Sequence, residues 1–243
     1  MRFERTTMTD ERSTDDDTAQ SRFNSSSRRR FLGTSALLGA GALAATAPAS
    51  ATTLTSMDGH DGSEGTDDGP SDADILNFAR TLEFLEARFY REGLDTIGEH
   101  DLHCSEPLRM IGGPIQDDAY GELRVIQAHE EAHVEALGDA IEGLGGEPVA
   151  EPEFDFGTAT EDPVEFLATA ATLETTGVAA YAGAAPLIEN AELIPSALGI
   201  HSVEARHSSF LNVLNGESGF PEAVDQPLTM DEVLERAGPF IVE

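Results

Sequence analysis

The sequence predicts an all-α protein, a four-helix bundle with a short fifth helix at its C-terminal end. From Asp72 onward, apolar residues recur every three or four positions, and no segment shows the alternation of a strand. Glycine and proline divide this region into four long segments and one short one. A chain of 243 residues with 40% hydrophobic residues can bury one sizeable core, so we expect one domain over residues 72–243.

Start and stop signals define five predicted helices. They cover about 71–97, 118–144, 162–189, 195–214 and 229–237. Ser71 or Asp72 is a candidate N-cap of the first helix, and Pro163 fits the first turn of the third. Thr229 and Glu232 have the spacing of a capping box. The connections of about 98–117 and 145–161 are long, and the second is predicted to be a crossover between the second and third helices.

Each long helix has an apolar stripe that includes a glutamate. The second stripe is Leu123, Ile126, Glu130, His133, Leu137, Ile141, Leu144, the third is Leu167, Ala170, Glu174, Val178, Tyr181, Ala185, Ile188, and the fourth is Leu198, His201, Glu204, His207, Leu211, Leu214. Carboxylates on inward faces lose their hydration, and basic partners are scarce in this chain. Two divalent cations would balance four carboxylates, and carboxylate with imidazole suits iron or manganese.

The order of these residues repeats along the chain. Glu83 is followed seven residues later by Tyr90, and Glu174 by Tyr181, so each tyrosine shares a helix face with its glutamate. A Glu-x-x-His pair follows in each half. Such pairs alone are close to chance expectation in so acidic a chain, and the repeated order is the stronger signal.

The first helix leaves one ligand ambiguous. Its apolar side is formed by Ile75, Phe78, Ala79, Leu82, Phe89 and Tyr90. Glu86 lies nearer the centre of that stripe than Glu83, and periodicity alone would choose Glu86. We prefer Glu83 because its spacing to Tyr90 is repeated in the third helix, where Gly177 occupies the position that matches Glu86. Glu86 remains the alternative.

One glutamate on each of two helices and Glu-x-x-His on each of the other two resemble the carboxylate pattern of ferritin-like proteins. The segment 82–90 and the ending 233–241 are similar to the ferritin-like family that includes desiccation-related proteins. The resemblance covers about residues 72–243 and implies a pair of divalent ions, iron or manganese. It implies that Glu83 and Glu174 are terminal ligands and that Glu130 and Glu204 are bridging ligands. It also implies that His133 and His207 each provide the nitrogen ligand of one ion. It also implies that Tyr90 and Tyr181 serve the reaction by hydrogen bonding to the ligands, with ordinary core packing as the alternative.

The resemblance favours an oxidoreductase that acts on O2, hydrogen peroxide or ferrous iron in stress protection. The alternative is a non-catalytic extracytoplasmic stress or desiccation-related protein whose bundle is stabilised by metal or free of it. A storage cage is a third reading, which the long connections disfavour. A second copy of the chain in a homodimer is an option for the assembly.

The N-terminal region has the order of an export signal. Arg28, Arg29 and Arg30 precede Phe-Leu, and an apolar run over 33–47 leads to the small residues Ala49-Ser50-Ala51. The paired arginines resemble a twin-arginine signal, so we expect residues 1–51 to direct export. We expect residues 52–71 to form a flexible acidic linker, and no membrane insertion after signal removal.

Charge and single residues narrow the remaining options. The net charge of −32 comes from 46 acidic residues against 14 basic ones, all of them arginine, which argues against nucleic acid as a partner and resembles proteins of extreme halophiles. Cys104 is the only cysteine, so it forms no internal disulfide and is read as an incidental thiol. A loop metal site with His100, Asp101 and His103 is the alternative. His129 and His201 are read as surface or core hydrogen-bonding residues.

Overall fold

The computed structural model describes residues 69–242, which form six α-helices. These are α1 (Asp72–His103), α2 (Glu106–Ile111), α3 (Gly113–Gly143), α4 (Pro163–Ala184), α5 (Ile194–Leu214) and α6 (Met230–Ala237). Over this range no strand is formed, and one isolated bridge joins Phe154 to Ile241. The predicted all-α bundle is confirmed, with α1, α3, α4 and α5 as its long helices. The export signal and nearly all of the linker expected over 52–71 lie outside the described residues.

Side chains cap the starts of α1, α4 and α6, and the caps of α1 and α6 are among those predicted. Ser71 forms a capping box with Asp74 at the start of α1. The Asp162 side chain accepts hydrogen bonds from the backbone at the start of α4, directly before Pro163. Thr229 and Glu232 form the predicted capping box at the start of α6. Local side-chain chemistry therefore defines where these helices begin.

The expected long connection over 98–117 is wrong, because most of this segment is helical. Gly98 adopts φ 73° and ψ 164°, a kink after which α1 resumes and continues to His103. Leu102 and Leu108 are fully buried, so α2 and the end of α1 are fixed by the core. Helix α3 begins at Gly113, earlier than predicted, with a proline in its first turn. Glycine and proline ordinarily mark helix ends. Here they permit a kink in α1 and the start of α3.

The connection between α3 and α4 is the predicted long crossover. It runs along α1, where Val149 N donates to Asn77 Oδ1 at 2.7 Å and Arg88 Nε donates to Glu151 Oε1 at 2.8 Å. Phe156 is buried at the far end of this path. Because the crossover travels from one end of α1 towards the other, α3 and α4 run in the same direction.

The core consists of two apolar clusters separated along the bundle. The larger includes Leu85, Phe89, Leu123, Phe166 and Leu211, and Val233 of α6 joins it. The smaller contains Leu76, Leu137, Ile141, Tyr181 and Ile200. In every long helix the inward glutamate lies in sequence between residues of the two clusters. The polar layer is therefore enclosed by apolar side chains at both ends.

Some predicted inward residues are exposed. Leu198 is 54% exposed and Leu144 is 37% exposed, which corrects their assignment to the apolar stripes. Leu144 is the C-cap of α3, and Leu198 lies in the first turns of α5, so neither is covered by another helix. Helix α4 also ends at Ala184, earlier than predicted, since Pro186 follows within a turn of 3₁₀ helix.

Helix α6 packs against α4 through a close backbone approach. Leu228 N donates to Ala179 O at 3.0 Å, just before α6 begins. A Cβ at Gly183 would lie 1.9 Å from Leu228 O, so only glycine permits this approach. None of the helices in residues 69–242 combines the length and the apolar character needed to cross a membrane.

Candidate metal centre

Four glutamates converge in the polar layer, one from each long helix. Glu83 of α1 is 1% exposed, and Glu130 of α3, Glu174 of α4 and Glu204 of α5 are fully buried. His133 and His207 lie one turn after Glu130 and Glu204, and they are 8% and 5% exposed. The structure thus brings together the six residues that the sequence pattern singled out.

The six side chains form two overlapping groups of ligand atoms. One group is Glu83, Glu130, His133 and Glu204, and the other is Glu130, Glu174, Glu204 and His207. Within each group one ligand atom per residue lies within 4.8 Å of the others. Glu130 and Glu204 belong to both groups. The arrangement therefore has two ligand positions that share two carboxylates.

His133 faces the first position with its Nδ1 atom. That atom lies 3.0 Å from Glu130 Oε2, 3.1 Å from Glu83 Oε2 and 3.1 Å from Glu204 Oε1. Burial alone would lower the pKa of His133. The close approach of the Glu204 and Glu83 carboxylates and their negative charges outweigh that effect and raise the pKa of His133 to about 10. Protonated His133 thus supplies, beside these carboxylates, positive charge that a bound cation could supply instead.

His207 faces the second position, also with Nδ1. The atom lies 2.9 Å from Glu130 Oε1 and 3.2 Å from Glu174 Oε2. Neither contact has hydrogen-bond direction, so Nδ1 is buried without a hydrogen-bond partner in the described residues. The ring is oriented towards the carboxylates without being satisfied by them.

Unsatisfied buried atoms are concentrated in this cluster. Of six such side-chain atoms in residues 69–242, five are Glu130 Oε1, Glu174 Oε2, Glu204 Oε1 and Oε2, and His207 Nδ1. A buried polar atom without a partner costs about 1–3 kcal/mol, and native structures rarely accumulate several in one place. Two divalent cations, one in each ligand position, would satisfy all five. Carboxylate and imidazole donors suit iron and manganese, so the residues fit the metals that the fold implies.

The acidity of the cluster shows the same imbalance. Burial, followed by repulsion from neighbouring carboxylates, raises the pKa of Glu130 and Glu204 well above the ordinary value. The same two causes raise the pKa of Glu86. Positive charge is therefore needed before these groups can ionise together.

The two tyrosines hydrogen-bond to glutamates of opposite halves. Tyr90 Oη of α1 donates to Glu174 Oε1 of α4, and Tyr181 Oη of α4 donates to Glu83 Oε1 of α1, each at 2.5 Å. Burial, and then the charge of the bonded glutamate, raises the pKa of both tyrosines well above 10, so they remain proton donors. In the sequence, each tyrosine shares a helix face with the glutamate seven residues before it on the same helix. The bonds instead cross between helices.

Glu86 is buried but belongs to neither ligand group. A Cβ at Gly177 would lie 3.3 Å from Glu86 Oε1 and 3.2 Å from Glu204 Oε2, so glycine leaves room for both carboxyls. Glu83 is the α1 residue within the groups. Glu86 adds a fifth carboxyl beside them.

His129 is the residue that the sequence did not assign to the site. Its Nδ1 atom lies 2.9 Å from His207 Nε2, and the two rings stack at 14°. Partial burial, and then His207 and His133, lower the pKa of His129. The hydrogen bond of His129 agrees with the sequence prediction, but the sequence did not indicate that its partner is His207. The available signal was its position four residues before His133, one helical turn away.

The loop around Cys104 forms no such group. Cys104 is exposed with a free thiol, and His103 Nε2 lies 3.4 Å from Asp117 Oδ1. Among the described residues, the two groups of the bundle are the ones whose ligand atoms lie close enough to hold an ion.

Comparison with known proteins agrees with this geometry. No curated protein matches the chain. A family model described as a ferritin-like domain matches residues 71–217, from the start of α1 to just beyond α5. This range contains all six residues of the two ligand groups. The chain therefore belongs to the ferritin-like domain family.

Proposed function

We propose that this protein binds two divalent metal ions, iron or manganese, and is an oxidoreductase that acts on O2, hydrogen peroxide or ferrous iron. The observation behind the proposal is that two groups of four ligand atoms share Glu130 and Glu204. The unsatisfied atoms of the cluster support it, since each belongs to a residue of these groups.

Each residue has a defined task in this proposal. Glu130 and Glu204 belong to both groups and would be shared by the two ions. Glu83 and His133 would complete one position, and Glu174 and His207 would complete the second. Four carboxylates and two divalent ions balance in charge, which would offset the repulsion that contributes to the raised pKa of Glu130 and Glu204.

The protein residues orient the ligands and control access. When bound, the metal pair would supply electron transfer to or from a small oxidant. Tyr181 Oη keeps its proton and donates a hydrogen bond to Glu83 Oε1, so that Glu83 Oε2, which lies 3.1 Å from His133 Nδ1, is the oxygen that faces the first position. Apolar clusters on both sides exclude water along the bundle axis. The slight exposure of His133 and His207 supports entry of a molecule the size of O2 or peroxide from the side of α3 and α5.

Metal analysis tests the binding proposal. Protein from native expression should contain about two equivalents of iron, manganese or both, and lose them in Glu204→Gln but not in Glu135→Gln, an exposed acid on α3. A folded protein that never contains either metal would refute the site.

An assay of peroxide or ferrous iron consumption tests the activity separately. Metal-dependent turnover, lost in Glu204→Gln and kept in Glu135→Gln, is expected. Two bound ions without turnover would favour the stress-related scaffold, in which metal only stabilises the bundle.

We also propose that the site functions outside the cytoplasm in stress protection. The support is the arginine pair before the apolar run at 33–47. Replacing Arg28, Arg29 and Arg30 with lysine should retain the protein in the cytoplasm. Export that continues unchanged would contradict a twin-arginine route.

A further inference from the structure

We infer that His129 is a positioning residue that orients His207 and makes the two metal positions unequal in affinity. This inference rests on the proposed metal pair. It deepens that proposal, because it assigns a difference between positions that the repeated motif alone would make equivalent.

His129 contacts His207 directly, through a hydrogen bond and through ring stacking. His129 Nδ1 lies 2.9 Å from His207 Nε2, and the ring centroids are 5.2 Å apart at an angle of 14°. His129 is itself exposed, so its ring spans from the surface to a ligand that is 5% exposed. The Nε2 atom of His207 is thus engaged away from the carboxylates.

The hydrogen bond to His129 affects which nitrogen of His207 carries the proton. A neutral imidazole has one N–H and one lone pair, and the partner of one nitrogen decides which is which. When His207 Nε2–H donates to His129 Nδ1, the lone pair is on His207 Nδ1. That atom lies 2.9 Å from Glu130 Oε1 and 3.2 Å from Glu174 Oε2 and has no hydrogen-bond partner. His129 therefore stabilises the tautomer that can bind a cation in the second position.

Within residues 69–242, His133 lacks a side-chain partner equivalent to His129. Its hydrogen bonds involve Nδ1, and no side chain in residues 69–242 bonds to its Nε2 atom. The position of His129 is directly before Glu130, and the matching position before Glu204 on α5 is Val203. Valine has no side-chain donor or acceptor. The support is therefore present in one half only.

The consequence is an order of loading. An outer hydrogen bond to a ligating histidine changes metal affinity by about 10–100-fold. The position formed with Glu174 and His207 therefore binds the first ion, and the position with Glu83 and His133 binds the second more weakly.

Calorimetric titration of the metal-free full chain with Mn2+ alone tests the inference. The wild type should bind two ions in separable steps. His129→Ala should weaken one step by about 10–100-fold and leave the other unchanged. His129→Asn should restore most of the affinity, since its amide oxygen can accept the same hydrogen bond. His100→Ala, an exposed histidine on α1, is the matched control.

Nitrogen NMR of His207 in the metal-free chain provides a readout that does not depend on binding. The Nε2–H tautomer should dominate in the wild type and in His129→Asn, and become mixed in His129→Ala. An unchanged tautomer, equal affinities in the wild type, or loss of both ions in His129→Ala would overturn the inference. A wild type that binds neither Mn2+ nor Fe2+ but keeps the tautomer difference would refute the proposed function instead, and the affinity difference with it.

Discussion

Replacing a shared carboxylate should remove at least twice as much metal-dependent stability as replacing the unshared Glu83. Glu204 contributes to both ligand groups, whereas Glu83 contributes to one. Glutamine keeps the volume of either side chain and removes its charge. Glu204→Gln should therefore lose both ions, and Glu83→Gln should lose one.

The expected size follows from ligand linkage. With free metal at about 100 times the Kd of the weaker position, that position stabilises the fold by about 2.7 kcal/mol, and a position that binds tenfold more tightly adds about 4.1 kcal/mol, so the two contribute about 6.8 kcal/mol. For a domain of this size, about 1 kcal/mol shifts Tm by roughly 2–4 °C. Metal should thus raise Tm by about 14–27 °C in the wild type, by about 8–16 °C in Glu83→Gln, which keeps the tighter position, and hardly at all in Glu204→Gln.

Thermal unfolding followed by circular dichroism, with metal and with EDTA, measures these shifts, and elemental analysis measures the ions. Glu135→Gln on α3 should behave as the wild type, because this glutamate is exposed. Equal metal-dependent shifts in Glu204→Gln and Glu83→Gln, or one ion retained in Glu204→Gln, would refute the shared role of Glu204.

Three further changes test other parts of the site. Tyr181→Phe removes the hydrogen bond to Glu83 and should lower the free energy of unfolding by about 1.5–3 kcal/mol in urea titrations; no change would show that the bond contributes nothing. The pKa of His133 is raised from 6.5 to about 10 in the folded state, so its stabilisation is complete below pH 6.5 and is lost as pH rises through 10. Metal-free protein should be less stable to urea at pH 8.5 than at pH 6, and the opposite order would contradict this sign. Gly177→Ala places a Cβ about 3.2 Å from Glu204 Oε2 and should weaken Mn2+ binding without unfolding the bundle, whereas unchanged binding would show that this carboxylate can move.

The bundle could be predicted because periodicity and caps act locally. Ser71, Asp162 and Thr229 each cap a helix through side chains within three residues, which the sequence displays directly. Segment 98–117 could not be predicted in this way. Its helices depend on burial of Leu102 and Leu108, and Gly98 kinks α1 without ending it. Tertiary burial outweighed the local helix-stop signals there.

The residues of the candidate site could be selected from sequence, but their pairing could not. A repeat of seven residues places Tyr90 on the same face as Glu83, yet its hydroxyl bonds to Glu174 on another helix. Helix spacing fixes which way a side chain points and leaves open which neighbour it meets. His129 was missed as a site residue for the same reason, since its partner His207 is 78 residues away.

The crossed tyrosine bonds mean that neither half of the bundle can by itself fix the orientation of its own candidate ligand, Glu83 or Glu174. Tyr90 and Glu83 come from one helical hairpin, Tyr181 and Glu174 from the other, and each bond joins the two hairpins. Two identical hairpins related by a twofold axis would make the same pair of bonds. The ligand set is therefore completed only when the hairpins dock in register, so formation of the site and correct folding become a single event.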